Sequence, residues 1–356
     1  MSWTKSLRIG AVVLLSLLGG CAFTDPQSTL DVAGPIARSQ LRLFNLTLWL
    51  GAGVFLIVAV ALIYAVWRYR ARSDDTELPP QIHGHALLET AWTIAPALLI
   101  VIIALATVPV IWENERISRP GDGDILEVNV TGYQWWWEFE YPSLGITTAN
   151  ELHIPVGQRV RLNLTSDDVI HSFWVPKLAG KKDLIPNQNN VMWMMADADK
   201  PGVYFGQCAE FCLTAHAHMR FRVVADTEDD FGAWVSAFQN AANQQVVAEP
   251  QIQQGAELFM RKGCAGCHAV RGVAQGQAGP DLTNFGQRLT VGAGILDNTP
   301  EDLARWLRDP QQVKPGNYMP VLWDENDTNA EAEIAALVAY LQSLGTAPAQ
   351  SAQAHP

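Results

Sequence analysis

Cys208-Ala209-Glu210-Phe211-Cys212-Leu213-Thr214-Ala215-His216-Ala217-His218-Met219 is the densest run of soft metal donors in the chain. Two thiols stand four residues apart, an imidazole follows four residues on, and a thioether three beyond that. Thiolate, imidazole and thioether together favour copper over hard cations. Two thiolates on one short loop can bridge two metal ions, and a bridged pair shares one electron with little rearrangement. The second imidazole must come from elsewhere. His171, in Val169-Ile170-His171-Ser172-Phe173-Trp174-Val175-Pro176, is the first candidate, with His153 and His218 as rivals. A structural zinc site and a Cys208–Cys212 disulfide compete with this reading. The disulfide leaves the His and Met spacing unexplained.

Around this loop the sequence reads as short strands. Leu126, Val128 and Val130 alternate with polar residues, as do Val160, Leu162 and Leu164, the period-two signature of half-buried strands. Pro142, Gly145, Pro155-Val156-Gly157, Pro176, Pro186 and Pro201-Gly202 punctuate them. The spacing predicts an antiparallel sandwich or barrel over 120–225. Residues 226–250 are acidic, then Ala/Asn/Gln-rich, and read as a short helix and a linker.

Downstream, Cys264-Ala265-Gly266-Cys267-His268 is a C-x-x-C-H motif. Its two thiols attach a c-type haem and its histidine becomes an iron ligand. Met319, in Gly316-Asn317-Tyr318-Met319-Pro320, is the sole methionine after that motif and the candidate sixth ligand. An all-helical unit over 251–345 is expected, closed by a helix near Ile334–Leu344, with a disordered tail at 346–356.

Upstream, Lys5 and Arg8 precede a short apolar run, Ile9 to Leu18, followed by Gly19-Gly20-Cys21. This describes an exported leader over 1–20. Its ending resembles a bacterial lipoprotein box, which implies a lipid on Cys21 and a segment 21–40 outside the membrane. Stretches 41–67 and 89–112 are each long and apolar enough to span a bilayer. Trp49, Trp67, Trp92 and Trp112 lie near their ends, as an interfacial aromatic belt requires. Arg68, Arg70 and Arg72 open the 68–88 loop, which the positive-inside rule places in the cytoplasm. Glu89, at the start of the second span, is either a headgroup-level carboxylate or part of a proton path.

The bulk numbers agree with several domains: 356 residues, 49% hydrophobic and 17% charged. A net charge of −12 disfavours nucleic acid; it reads either as a solubility charge with no specific partner or as a surface that attracts a basic protein. All five cysteines acquire separate tasks: one lipid anchor, two copper ligands and two haem bonds.

From Gln40 to about Val224 the chain resembles cytochrome c oxidase subunit II. The hairpin of spans, Gly132-Tyr133-Gln134-Trp135-Trp136-Trp137, the His171 segment and the Cys208–Met219 loop carry the resemblance in order. It implies a multidomain membrane protein with a two-helix transmembrane hairpin, a cupredoxin-like β-sandwich and an all-α cytochrome c domain. It further implies a binuclear copper centre, CuA, bridged by Cys208 and Cys212. His171 and His216 would each bind one copper, with Met219 and the Glu210 carbonyl as weak outer ligands. The Glu210 side chain would reach a magnesium ion shared with subunit I. Trp135 would receive electrons, and Glu89 would stand at the mouth of a proton channel. The implied partners are subunits I and III and a periplasmic cytochrome c or other donor, in the bacterial inner membrane as a multi-pass protein. The resemblance thus implies a periplasmic donor reducing the haem, the haem reducing CuA, and oxygen reduction coupled to proton pumping in subunit I. Two departures stand out: Leu213 where many members have Gly, and Trp136 where Tyr is common. Because the cytochrome is fused, its encounter with the copper domain is intramolecular. The reading is of transient docking near Trp135-Trp136-Trp137, with Trp137 more a core residue than a conductor.

Overall fold

The computed structural model describes residues 25–70, 81, 83–116, 125–240, 249–324 and 326–345. The leader 1–20, Cys21, Arg72, residues 241–248 of the linker and the 346–356 tail lie outside the described residues. The chain divides into two compact units, Arg38–Arg116 and the remainder.

The first unit holds two long helices, α1 (Pro35–Arg68) and α2 (Ala86–Asn114). The apolar spans read from the sequence are shorter, because hydropathy registers the lipid-facing stretch and not the helix ends. Pro35 at the first position of α1 is compatible with helix initiation, and nothing up to Gln40 interrupts the turn. At about 1.5 Å per residue, 34 and 29 residues both exceed the ~30 Å hydrocarbon core. Phe55, Ile57, Leu62 and Leu105 stand fully out along these helices, a surface that water penalises and lipid accepts. Ser39 Oγ donates to Asn114 Oδ1 at 3.3 Å, joining the start of α1 to the end of α2. The pair is therefore an antiparallel hairpin.

Ten strands build the sandwich: β1 (Leu126–Tyr133), β2 (Trp136–Tyr141), β3 (Ile146–Ala149), β4 (Glu151–Pro155), β5 (Val160–Ser166), β6 (His171–Trp174), β7 (Lys182–Leu184), β8 (Asn190–Met194), β9 (Gly202–Cys208) and β10 (Arg220–Asp226). One sheet has the order β3-β2-β1-β5-β8 and the other β4-β10-β9-β6-β7. The expected antiparallel arrangement is only partly right, since β1–β5 and β4–β10 pair in parallel. Alternation in sequence reports which face is buried and carries no information on strand direction. The chain crosses between sheets after β3, so β1 and β5 become neighbours running the same way. Inward residues of both sheets meet in an aromatic core, where Trp137, Phe139, Phe173 and Phe221 are fully buried.

The segment after β10 holds the expected short helix, and that helix is not free of the sandwich. α3 (Glu228–Asn240) packs on the sandwich and buries Trp234 and Phe238. Trp234 stacks on His153, with ring centroids 4.4 Å apart. Its burial makes α3 part of the sandwich core.

The last domain contains α4 (Pro250–Arg261), α5 (Pro300–Arg308), the single turn α6 (Pro310–Val313) and α7 (Ala330–Ser343). Two hairpins of two-residue strands, Ala269–Val270 with Ala274–Gln275 and Thr290–Val291 with Leu296–Asp297, interrupt the helical pattern. α4 crosses α7 at Gly255, where a Cβ would stand 2.1 Å from the Ala336 carbonyl oxygen. Only glycine permits so close an approach.

Candidate metal centres

The copper loop joins β9 to β10, and its donors converge. Cys208 Sγ and Cys212 Sγ are 3.8 Å apart, far beyond the ~2.05 Å of a disulfide. His171 Nδ1 lies 3.8 Å from Cys208 Sγ, and His216 Nδ1 lies 3.6 Å from Cys212 Sγ. Met219 Sδ is 3.9 Å from Cys212 Sγ, and the Glu210 carbonyl oxygen is 3.2 Å from Cys208 Sγ. Six donors, the two thiols included, exceed the four that a structural zinc takes. His171, Cys208, Cys212 and Met219 are buried, so the donors face one another and not water.

Strand geometry explains the convergence. β6 starts at His171 and pairs with β9, which ends at Cys208. The imidazole 37 residues away in sequence is thereby placed beside the first thiol. His171 Nε2 is 2.8 Å from Asp168 Oδ1. A carboxylate on the far nitrogen fixes the tautomer and aims Nδ1 at a metal. Burial opposes ionisation of Asp168, yet hydrogen bonds from His171, Val169 and Gln134 hold its carboxyl below the ordinary range. The two thiols share a proton: the Cys212 thiol hydrogen-bonds the Cys208 thiolate and pushes its pKa down, and that thiolate pushes Cys212 up. A bound metal would displace the retained proton.

The rival histidines are engaged elsewhere. His153 sits on β4, bonded to Asp226 at 2.8 Å and stacked on Trp234. His218 is half-buried at the end of the loop's last turn, outside the cluster of donors. Leu213 adopts φ +77°, the left-handed conformation in which a side chain is strained. This is the local cost of a leucine where glycine would relax.

The haem motif borders a cleft of about 1210 Å³, including its open mouth. Cys264, Cys267, His268 and Met319 all line it, with Phe285, Leu303 and Leu337 among the apolar walls. His268 Nδ1 is 2.8 Å from the Pro280 carbonyl. That bond leaves Nε2 as the free coordinating nitrogen. Burial, with Arg288 nearby, lowers the His268 pKa and keeps the ring neutral. Cleft size, apolar walls, rim thiols and a preset imidazole together fit a covalent haem.

Of the three neighbouring tryptophans, Trp137 is core, packed on Phe173 and Phe221. Trp136 stacks on Tyr133 at 4.3 Å. Trp135 lies in the turn between β1 and β2, and its Nε1 donates to the Cys212 carbonyl at 2.6 Å. It also lines the haem cleft. Glu89 lies at the start of α2, away from both metal sites in sequence, and its Oε1 accepts from His85 N at 3.0 Å. That is a helix-capping contact. The sequence reading missed Asp168, Gln134, Lys314 and Tyr318, all beside one of the two centres. Asp168 had a weak signal, a carboxylate three residues before the candidate ligand His171. Lys314 and Tyr318 had none, because their partners are 179 and 184 residues away.

Family comparisons match each part. Residues 26–110 match the transmembrane domain of cytochrome c oxidase subunit II, 143–226 its periplasmic domain, and 252–345 cytochrome c. Cytochrome c oxidase subunit 2 of Alkalihalophilus pseudofirmus is 38% identical, over 96% of this chain and 98% of the relative. The chain belongs to the cytochrome c oxidase subunit II family. The subunit 2 of Bacillus sp. strain PS3 is also 38% identical, over 96% of this chain and 98% of that one. A crystal structure of the periplasmic domain of subunit II of cytochrome oxidase from Bradyrhizobium japonicum is 32% identical. It covers 31% of this chain and 91% of its own, with a TM-score of 0.30. As a subunit II with a C-terminal cytochrome c domain, this protein is part of a haem-copper oxidase complex with subunit I. Its two apolar helices anchor it in a membrane, and its β-sandwich is the periplasmic domain.

Proposed function

We propose that Cys208 and Cys212 bridge two copper ions, that His171 and His216 each hold one through Nδ1, and that Met219 and the Glu210 carbonyl complete the set. The carrying observation is the convergence of six soft or carbonyl donors, each within 3.9 Å of a thiol. When bound, the copper pair supplies a one-electron store. Asp168 orients His171, and Trp135 supports the loop from below through the Cys212 carbonyl. That contact, together with its place in the haem-cleft wall, supports the reading of Trp135 as the residue through which the copper loop receives electrons.

The haem c is held by Cys264 and Cys267, with His268 and Met319 on the iron. Met/His ligation gives the raised potential that an electron carrier uses. The copper domain covers 120–225 with α3 added, and the cytochrome domain 251–345. The half-buried Glu210 side chain reaches a magnesium ion shared with subunit I. Glu89 marks the mouth of a proton channel in subunit I, and its position at the start of α2 suits a carboxylate at the membrane edge. The complex includes subunit III and sits in the bacterial inner membrane, with this chain multi-pass and Cys21 lipidated. A periplasmic cytochrome c or other basic donor reduces the haem, in keeping with the net charge of −12. Oxygen reduction and proton pumping follow in subunit I.

The test is Cys212→Ser in the full chain. A hydroxyl cannot replace a bridging thiolate, so the mixed-valence copper absorption is lost while the haem absorption stays. Two coppers bound with an unchanged spectrum refute the bridge.

A further inference from the structure

Three charged side chains are buried where the copper and cytochrome domains meet. Glu151, at the start of β4, is 2% exposed, Arg222 on β10 is 8% exposed and Lys314, after α6, is 3% exposed. Each finds partners across the seam. Glu151 Oε1 accepts from Leu289 N at 2.8 Å, Thr290 N at 2.9 Å and Thr290 Oγ1 at 3.1 Å. Arg222 Nη2 donates to the Gly294 carbonyl at 3.2 Å. Lys314 Nζ donates to the Trp135 carbonyl at 2.6 Å and to Gly292 in its own domain at 3.2 Å. Burial lowers the Lys314 pKa to about 7, against the pull of Cys212.

A charge removed from water is costly unless its new partners are well placed. Interfaces in general keep charge at the rim and deplete it at the centre, so a charge buried there is held by specific partners on the other side. Reciprocal burial, an acid from the copper domain and a base from the cytochrome domain, is the pattern of a contact that stays closed.

The same seam carries the loop that leads to Met319. Tyr318 stacks on Trp135 with ring centroids 5.3 Å apart, and its hydroxyl donates to Gln134 Oε1 at 3.0 Å. Gln134 Nε2 in turn donates to the Cys212 carbonyl at 3.2 Å. Gly316, at φ +84°, leaves no room for a Cβ, which would stand 2.5 Å from Thr214 Cγ2 of the copper loop. The haem-side and copper-side loops are packed directly on each other.

We propose that Glu151, Arg222 and Lys314 are a permanent latch, and that they position the Tyr318–Trp135 contact so that the two centres meet across a fixed seam. The transient docking expected from sequence is replaced by one closed arrangement. Glu151 and Lys314 are positioning residues: Glu151 lies in the seam away from both centres, and Lys314, in the wall of the haem cleft, supplies no ligand to either. The handover they serve moves one electron, lost by the haem and gained by the copper pair. That consequence rests on the site assignment above; the latch itself does not.

Hydrogen exchange on the full chain tests it. The amides of Leu289 and Thr290, and that of Arg220, which donates to the Ala293 carbonyl at 3.1 Å, cross the seam. They should be protected to within about tenfold of amides in the sandwich core, since only opening of the seam exposes them. Glu151→Ala should cut protection at the Arg220 amide, which Glu151 does not touch, by about tenfold or more. In the holoprotein, haem-to-copper transfer should change less than about twofold as ionic strength rises from ~0.1 to ~1 M, where the Debye length falls from ~10 to ~3 Å. Fast exchange at these amides in the unaltered chain overturns the latch, as does a transfer rate that falls steeply with salt. An Arg220 amide as protected in Glu151→Ala as in the parent overturns the role of Glu151. The exchange result is read on the haem-loaded chain with or without copper, so it is separate from any failure of the copper assignment.

Discussion

The two centres are built in opposite ways. The copper donors are drawn together by strand pairing, with the two sulfurs and each imidazole nitrogen already within 4 Å of a thiol. The haem donors stand around a cleft of about 1210 Å³. One centre is a corner of a packed sandwich whose core closes without metal. The other is a cleft whose apolar walls suit a large planar group. Metal is thus an addition to the first domain and a structural part of the second.

The strongest way to break that comparison is to deny the cytochrome domain its haem. With Cys264→Ala and Cys267→Ala together, the apolar cleft stays open. The cytochrome domain should then lose its cooperative unfolding transition, worth about 5 kcal/mol or more for a domain. The sandwich should keep its own transition. Calorimetry of the full chain checks this, and two intact transitions would show that the cleft closes unaided. A smaller effect sharpens the copper side. Asp168→Asn keeps the shape but weakens the grip on His171 Nε2, and should lower copper affinity about 10–100-fold with little change in unfolding. Copper titration of the apoprotein reads it, and equal affinity would make Asp168 irrelevant to the site. The smallest effect tests how far the copper loop is preassembled against its own backbone. Leu213→Gly relieves a left-handed leucine and should stabilise the sandwich by about 1 kcal/mol or less, since glycine's chain entropy offsets part of the gain. A lower melting temperature would mean that the exposed leucine side chain contributes more than the strain costs.

What could be read in sequence follows the distance over which each feature is encoded. Cys208 to Met219 is one loop, so donor type and spacing spoke for themselves, as did Cys264 to His268. The two spans announced themselves by length and lack of charge. His171 ranked first because His153 read as a strand residue and His218 as an exposed one, although His171 lies on a strand too. The structure gives the reason for the difference in fate: β6 abuts β9, whereas β4 leads His153 to Asp226 and Trp234. Strand direction was misjudged because period two is blind to it. The acidic and polar stretch after β10 concealed Trp234 and Phe238, two core residues within a segment whose composition resembles a linker. The seam was illegible altogether. Lys314 reads as a surface lysine, and only the folded chain brings it to the carbonyl of Trp135.

The crossing of α4 and α7 at Gly255 has a consequence for the order of events during export. α4 begins the cytochrome domain at Pro250 and α7 ends it at Ser343. The helix that closes the domain is therefore the last part of it to leave the ribosome and the translocon. Until Ser343 is through, Gly255 has no partner, and Cys264 and Cys267 belong to an open chain. The sandwich, complete by Asn240, can fold first. The C-x-x-C-H segment thus emerges ahead of the helix that closes its domain, beside a neighbour able to fold first.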